Sequence, residues 1–249
     1  MTQRMPILWL DETDSTQNEL ARHISEYDNL SVVAARLQTA GRGQRGNKWL
    51  ATKGENLTFS MLLKFGQGAL PSLETASQFR ITQAATLGVL SYLDFSGIEC
   101  MIKWPNDIYC RNKKICGMLI ENVLEGRYLS HSIVGIGLNV NQRDFPVEII
   151  NPTSMSLASG KEYDLEAEME RLHSCLCDSF TKYLGPEADL KAYEEKLFRK
   201  GEFHEYVRCS DGSSFEAMIT GVDKSGLLEV RNRKGEPEKF AFKEISYII

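Results

Sequence analysis

Apolar positions along the chain recur with two periods, and the changes of period mark the elements. The run Ile7-Leu8-Trp9-Leu10 predicts a short buried strand. Leu20, Ile24 and Tyr27 then recur at helical spacing. Thr16 and Glu19 have the spacing of a capping box, so a helix is predicted from Thr16. Strands are predicted at 31–35 and 56–63. A helix is predicted over 71–93, with Pro71 in its first turn and Ile81, Ala85, Gly88 and Tyr92 as its buried stripe. A strand at 99–103 ends in the turn sequence Pro105-Asn106-Asp107, and 108–121 reads as a hairpin. From Tyr128 to Asn141 alternation places Val134, Ile136, Leu138 and Val140 on one face and Gly135, Gly137 and Asn139 on the other. Asp164 opens a further helix with the stripe Leu165, Met169, Leu172, Leu176 and Tyr183, and a short helix is predicted over 186–198. After Lys200-Gly201-Glu202 the pattern changes to five short strands from Tyr206 onward, the signature of a small β-barrel. The chain thus reads as an α+β protein with a main domain over 1–200 and a small all-β domain over 203–249.

Composition narrows the function classes without choosing one. The 249 residues are 42% apolar and 25% charged, close to an ordinary globular chain. A formal net charge of −5 argues against a dedicated nucleic-acid binder, so no DNA partner is expected. No apolar run approaches the ~18 residues of a membrane span, and the N-terminus lacks the apolar core of a signal peptide. No membrane partner and a cytoplasmic location are therefore expected. The six cysteines read as free thiols, with Cys175-Leu176-Cys177 lacking the C-x-x-C spacing of zinc or redox sites, and no structural metal is expected.

Candidate chemistry concentrates in the stretch from Gln38 to Trp49. Gly41, Gly43 and Gly46 alternate with Arg42, Arg45 and Lys48. Glycines allow close backbone approach, successive N–H groups can cradle an anion, and arginine matches phosphate or carboxylate with its donor fork. Trp49 offers a face for stacking. The stretch reads as a loop that closes over a small anionic ligand, or as a solvated basic turn. It is expected to be mobile until ligand orders it. Lys103, between Ile102 and Trp104, either points to solvent or supplies a point charge to a site. Ser15 and Thr16 either cap a helix or offer hydroxyls to a polar ligand. Gly117, Gly135 and Gly137 mark close approach of a ligand or of packed backbone.

Taken together, Asp14-Ser15-Thr16-Gln17, Gln38 with the Gly-Arg-Gly loop and Trp49, Lys103-Trp104-Pro105-Asn106-Asp107, Lys114-Ile115-Cys116-Gly117 and Gly135-Ile136-Gly137-Leu138-Asn139 strongly resemble the biotin–protein ligases. The resemblance covers essentially the whole chain. It implies a mixed-sheet catalytic domain of the class II synthetase-like biotin/lipoate ligase type, followed by an SH3-like barrel. It implies ATP with substrate-bound Mg²⁺, biotin as substrate, biotinyl-5′-AMP as intermediate, and a lysine of a biotin carboxyl carrier protein as acceptor. By resemblance, Lys103 and Arg42 are catalytic. Ser15, Thr16, Gln17, Gln38, Arg42, Gly43, Gln44, Lys103 and Gly117 contact biotin. Arg45, Asn47, Trp49, Asn106, Gly135, Gly137 and Asn139 contact the nucleotide. A homodimer is compatible with it. Longer members carry asparagine where Gln17 stands, and often arginine at the positions of Gln44 and Asn47. They also begin with a DNA-binding helix-turn-helix, whereas the catalytic pattern here begins at about Ile7, so no repressor role is expected. The alternative within the same superfamily is a lipoate or octanoate ligase or transferase. Ser15, Thr16 and Gln38 favour a ureido ring over a plain acyl chain.

Overall fold

A computed structural model describes residues 7–66, 69–185 and 188–249. In chain order the elements are β1 (Ile7–Leu10), α1 (Thr16–Arg22), β2 (Val32–Ala35), β3 (Asn56–Lys64), α2 (Phe79–Phe95), β4 (Met101–Lys103), β5 (Asp107–Cys110), β6 (Lys113–Glu125) and β7 (Tyr128–Asn139). Then follow α3 (Met155–Ser159), α4 (Leu165–Tyr183), α5 (Lys191–Glu195), β8 (Phe203–Arg208), β9 (Ser214–Val222), β10 (Leu228–Arg231), β11 (Pro237–Phe240) and β12 (Ile245–Tyr247). The first seven strands form one mixed sheet in the order β1-β2-β3-β7-β6-β5-β4, and the last five form a second sheet in the order β11-β10-β9-β8-β12. The architecture is α+β with an SH3-like C-terminal unit.

One face of the mixed sheet is apolar. Val134, Ile136 and Leu138 of β7, with Leu57, Phe59 and Met61 of β3, are at most 3% exposed and pack beneath α2 and α4. The predicted stripe of α2 is buried as expected. A Cβ built on Gly88 would lie 3.0 Å from Leu176 Cδ2 and 3.1 Å from Ser179 Cβ of α4, so the glycine sets how closely these helices approach. Gly88→Val is expected to lower stability by about 1–3 kcal/mol through overpacking. Urea unfolding measures it, and an unchanged midpoint would mean that the helix pair separates freely.

Three local expectations change. The helix predicted from Pro71 begins at Phe79. The preceding residues instead run beside the start of β7, where Leu129 N–H donates to Leu73 O (2.9 Å) and Thr75 N–H to Arg127 O (3.0 Å), and a single 3-10 turn over Thr75–Ser77 leads into the helix. Tertiary pairing there outweighs the preference of proline for a first helical turn. The capping box at Thr16 is also not formed. Ser15 occupies the N-cap position of α1 but makes no side-chain cap hydrogen bond, and Thr16 is already helical. The short helix predicted over 186–198 narrows to α5, and Pro186 lies outside the described residues.

The outer edge of the sheet is closed from a distance. Ile102 N–H donates to Lys196 O, and Phe198 N–H donates to Ile102 O, both at 2.8 Å. The barrel sits on the same corner. Trp104 Nε1–H donates to Gly226 O (3.0 Å), and Tyr193 Oη–H donates to Pro105 O (3.1 Å). Gly226 has φ +93°, and its Cα packs so closely on Phe79 that a built Cβ would lie 2.6 Å from the ring, so glycine is required twice over.

Candidate active site

Opposite the apolar face, strand register lines up one row across five neighbouring strands. Thr58 of β3 pairs with Gly137 of β7, Gly137 with Gly117 of β6, Gly117 with Asp107 of β5, and Asp107 with Lys103 of β4. At roughly 4.8 Å per strand the row spans about 19 Å. Its centre is bare backbone, and polar side chains stand on either side. From Gly137 to Lys103 this row floors a cavity of ≈ 580 Å³.

At the β3 end the wall is made by the start of α1. Parallel pairing of β1 and β2 runs on past the strand ends, with Thr39 N–H to Thr13 O (2.9 Å) and Ala40 N–H to Asp14 O (2.8 Å), and so holds Ser15 and Thr16 beside Gln38. The Gln38 Oε1 accepts from Thr16 N–H (2.8 Å) and Thr16 Oγ1 (3.1 Å). Ser60 Oγ lies 2.9 Å from Thr16 Oγ1 and donates to Gln17 Oε1 (3.0 Å). Gln17 in turn donates to Ile133 O (3.0 Å), and its Oε1 lies 2.6 Å from where a Cβ of Gly135 would stand. Both polar atoms of Gln17 thus have protein partners. The result is a compact array of hydroxyls and amides in which Ser15, Thr16 and Gln17 are at most 3% exposed.

The glycine loop forms the roof as a tight hairpin. Gly43 N–H donates to Asn47 O (2.7 Å), Trp49 N–H donates to Gly41 O (3.0 Å), and Arg42 pairs with Lys48. The Trp49 indole lies over the bare row. A Cβ on Gly117 would lie 3.1 Å from it, and one on Gly137 would fall well inside van der Waals contact. Its Nε1–H is buried and has no hydrogen-bond partner among the described residues. The Arg42 guanidinium bonds to Glu121 on β6 (2.5 Å to Oε1) and to Asn18 Oδ1 (3.0 Å), which fastens the loop to the sheet. Asn18 is held in turn by the Asp14 carboxylate (2.8 Å). The Arg22 guanidinium and the Asn18 amide keep that carboxyl well below the usual carboxylate range.

The β4 end carries the charge. Lys114 Nζ pairs with Asp107 Oδ1 at 2.7 Å and reaches across Gly117, where a Cβ would lie 2.9 Å from it. Lys103 has no ion pair or hydrogen bond among the described residues. Burial pushes its ammonium below the usual lysine value, opposed by Asp107 and reinforced by Lys114 and Arg199. The barrel closes this end with Phe242 in the cavity wall.

Of the residues singled out in the sequence, Ser15, Thr16, Gln17, Gln38, Arg42, Gly43, Gln44, Asn47, Trp49, Lys103, Asn106, Gly117, Gly135 and Gly137 line this one cavity. Asn106 is anchored by its amide to Met118 O. Asn139 is not in the lining; its amide is buried and donates to Thr153 O (2.9 Å). The Arg45 side chain lies outside the described residues. Sequence reasoning missed Asp107, Lys114, Glu121 and Ser60 as members of the site. Among the described residues, no group of three His, Cys, Asp or Glu side chains is placed to hold a metal ion.

This geometry can be set beside known proteins. The model of the biotin/lipoate A/B protein ligase family matches residues 9–139. The chain belongs to that family. The bifunctional ligase/repressor BirA of Bacillus spizizenii is 32% identical over 231 residues, covering 91% of this chain and 68% of BirA. A biotin–[acetyl-CoA-carboxylase] ligase of Paracoccus denitrificans is 27% identical, covering 91% and 94%. The solved biotin protein ligase of Aquifex aeolicus in complex with biotin and ATP superposes with a TM-score of 0.75 at 27% identity, covering 96% of this chain and 97% of that one. Within the family, the similarity supports the biotin ligases over the lipoate ligases.

Proposed function

We propose that the protein is an ATP-dependent biotin–protein ligase. Biotin and ATP, the latter as its magnesium complex, give biotinyl-5′-AMP and pyrophosphate, and the biotinyl group then passes to a lysine of a biotin carboxyl carrier domain. The observation that carries this reading is Lys103: a cation without a counter-ion among the described residues, at one end of a bare backbone row whose other end is an array of hydroxyls and amides. A ureido ring suits the polar end, and a carboxylate meeting a phosphate suits the cationic end.

In the first step a carboxylate oxygen of biotin attacks the α-phosphorus, the bond to the bridging oxygen breaks, and pyrophosphate leaves. Two anions must approach each other, so catalysis is mainly charge neutralisation and positioning. Lys103 supplies that charge without first breaking an ion pair. Arg42 lines the same cavity with its guanidinium bonded to Glu121 and Asn18, and Trp49 would be the aromatic partner for the adenine ring. The fastened loop excludes water from the mixed anhydride. In the second step the acceptor amine attacks the acyl carbon, AMP leaves, and the amine gives up a proton.

Mass spectrometry of a carrier domain after incubation with the protein, biotin and Mg–ATP should show one added biotinyl group on one lysine. Turnover of lipoate but not biotin in the same assay would overturn the reading.

A further inference from the structure

Lys103 also has neighbours on the side away from the glycine row. Its Nζ lies 4.7 Å from the ring centroid of Tyr247 and 5.3 Å from that of Tyr109. Both are within the ~6 Å at which a ring face attracts a cation. Tyr109 comes from β5, two residues past Asp107 and on the same face. Tyr247 comes from β12, in the other sheet altogether. Its ring is fixed by edge-on contact with Tyr206 (5.2 Å, 80°) and by stacking on Phe198 (6.4 Å, 27°). Phe198 is itself bonded to the backbone of Ile102, next to Lys103. The Tyr247 hydroxyl is buried and has no hydrogen-bond partner among the described residues. The ring, not the hydroxyl, therefore meets the ammonium.

The other charges acting on Lys103 do not balance it. Asp107 on β5 is engaged by Lys114 of β6, and Arg199, whose Nη1–H donates to Ile248 O (2.8 Å), adds a second positive charge. Beside the partial compensation from Asp107, the pair of ring faces favours the cation.

We infer that Tyr247 is a positioning residue for adenylation: the barrel lends its ring face to Lys103 and holds the ammonium charged and aimed at the reacting phosphate. This deepens the ligase reading and rests on it. It also gives the barrel a defined role in the chemistry.

The test is biotin-dependent ATP–pyrophosphate exchange against pH for the native chain, Tyr247→Leu and Tyr247→Phe, alongside NMR titration of Lys103 in protein carrying ¹³C-labelled lysine. The active form of Lys103 is the cation, so exchange falls as pH rises through its pKa. Removing a ring that favours the cation lowers that pKa. Tyr247→Leu should therefore move the alkaline limb and the Lys103 titration to lower pH by about 0.5–1 unit, with kcat reduced several-fold and the KM for biotin little changed. Tyr247→Phe should restore both curves. Progressively fluorinated phenylalanines at 247, which weaken the ring face at nearly constant shape, should shift the curves stepwise and decide the matter if Tyr247→Leu does not fold. Coincident curves for the native and fluorinated proteins would overturn the inference, as would a Tyr247→Phe protein as defective as Tyr247→Leu. A native chain without biotin-dependent exchange would instead overturn the ligase reading, while the Lys103 titration would still report on Tyr247.

Discussion

Lys103→Ala is expected to reduce biotin-dependent pyrophosphate exchange by at least ~10²–10³-fold, the loss that follows removal of one preorganised charge or donor from a transition state. The fold should survive. Lys103 has no ion pair or hydrogen bond among the described residues, so its removal strands no buried partner, and Asp107 keeps Lys114 at 2.7 Å. Burial already disfavours the ammonium. Exchange kinetics and urea unfolding of the same preparation check both halves. An active variant, or one that unfolds, would show that Lys103 serves packing instead.

The second large effect is expected at Gly137. A side chain there would drive into the indole of Trp49, which lies across the bare strip of β7 and β6. Trp49 is on a hairpin fastened by Arg42 to Glu121, so it cannot yield without moving the roof. Overpacking of this kind costs about 1–3 kcal/mol, or roughly 10–100-fold in affinity. Gly137→Val should therefore raise the KM for ATP by that factor. Biotin binding should change less, because the polar array around Thr16, Gln38 and Ser60 packs beside Gly135, whereas Trp49 packs on Gly137. Calorimetric titration of each substrate separates the two. Equal losses for biotin and ATP would mean that the glycine strip serves both ligands.

Much of this site was legible because alternation is strict in β7. Gly135 and Gly137 fall opposite Val134, Ile136 and Leu138 in the sequence pattern, and the register places them so. Parity failed where the sheet is irregular. The register between β5 and β6 shifts at Ile108/Tyr109, which brings Lys114 over Gly117 although the two are an odd number of residues apart. No count of alternating positions can place Lys114 on the face of the glycine row. Asp107 read as part of a turn, because the hairpin loop consists only of Trp104, Pro105 and Asn106 and the strand resumes at once. Glu121 was invisible for another reason: its partner Arg42 lies 79 residues away, and nothing local marks the pair. Ser15 and Thr16 kept both readings in the sequence; the Ser15 side chain forms no cap, and the Thr16 hydroxyl is engaged by Gln38 and Ser60 in the cavity wall.

The strand that carries Lys103 has consequences for how the protein comes into being. β4 is three residues long, its inner neighbour is the local hairpin strand β5, and its outer hydrogen bonds go to Lys196 and Phe198. During synthesis the N-terminal part of a chain emerges first and begins to fold first. The glycine loop, the polar array and Lys103 itself all leave the ribosome long before the segment that braces β4, and longer still before Tyr247. A nascent chain therefore exposes the candidate site residues while Lys103 still has a loose strand beneath it. Competence to make a reactive acyl phosphate is deferred to the last stretch of translation, so a stalled or truncated product is expected to be inert.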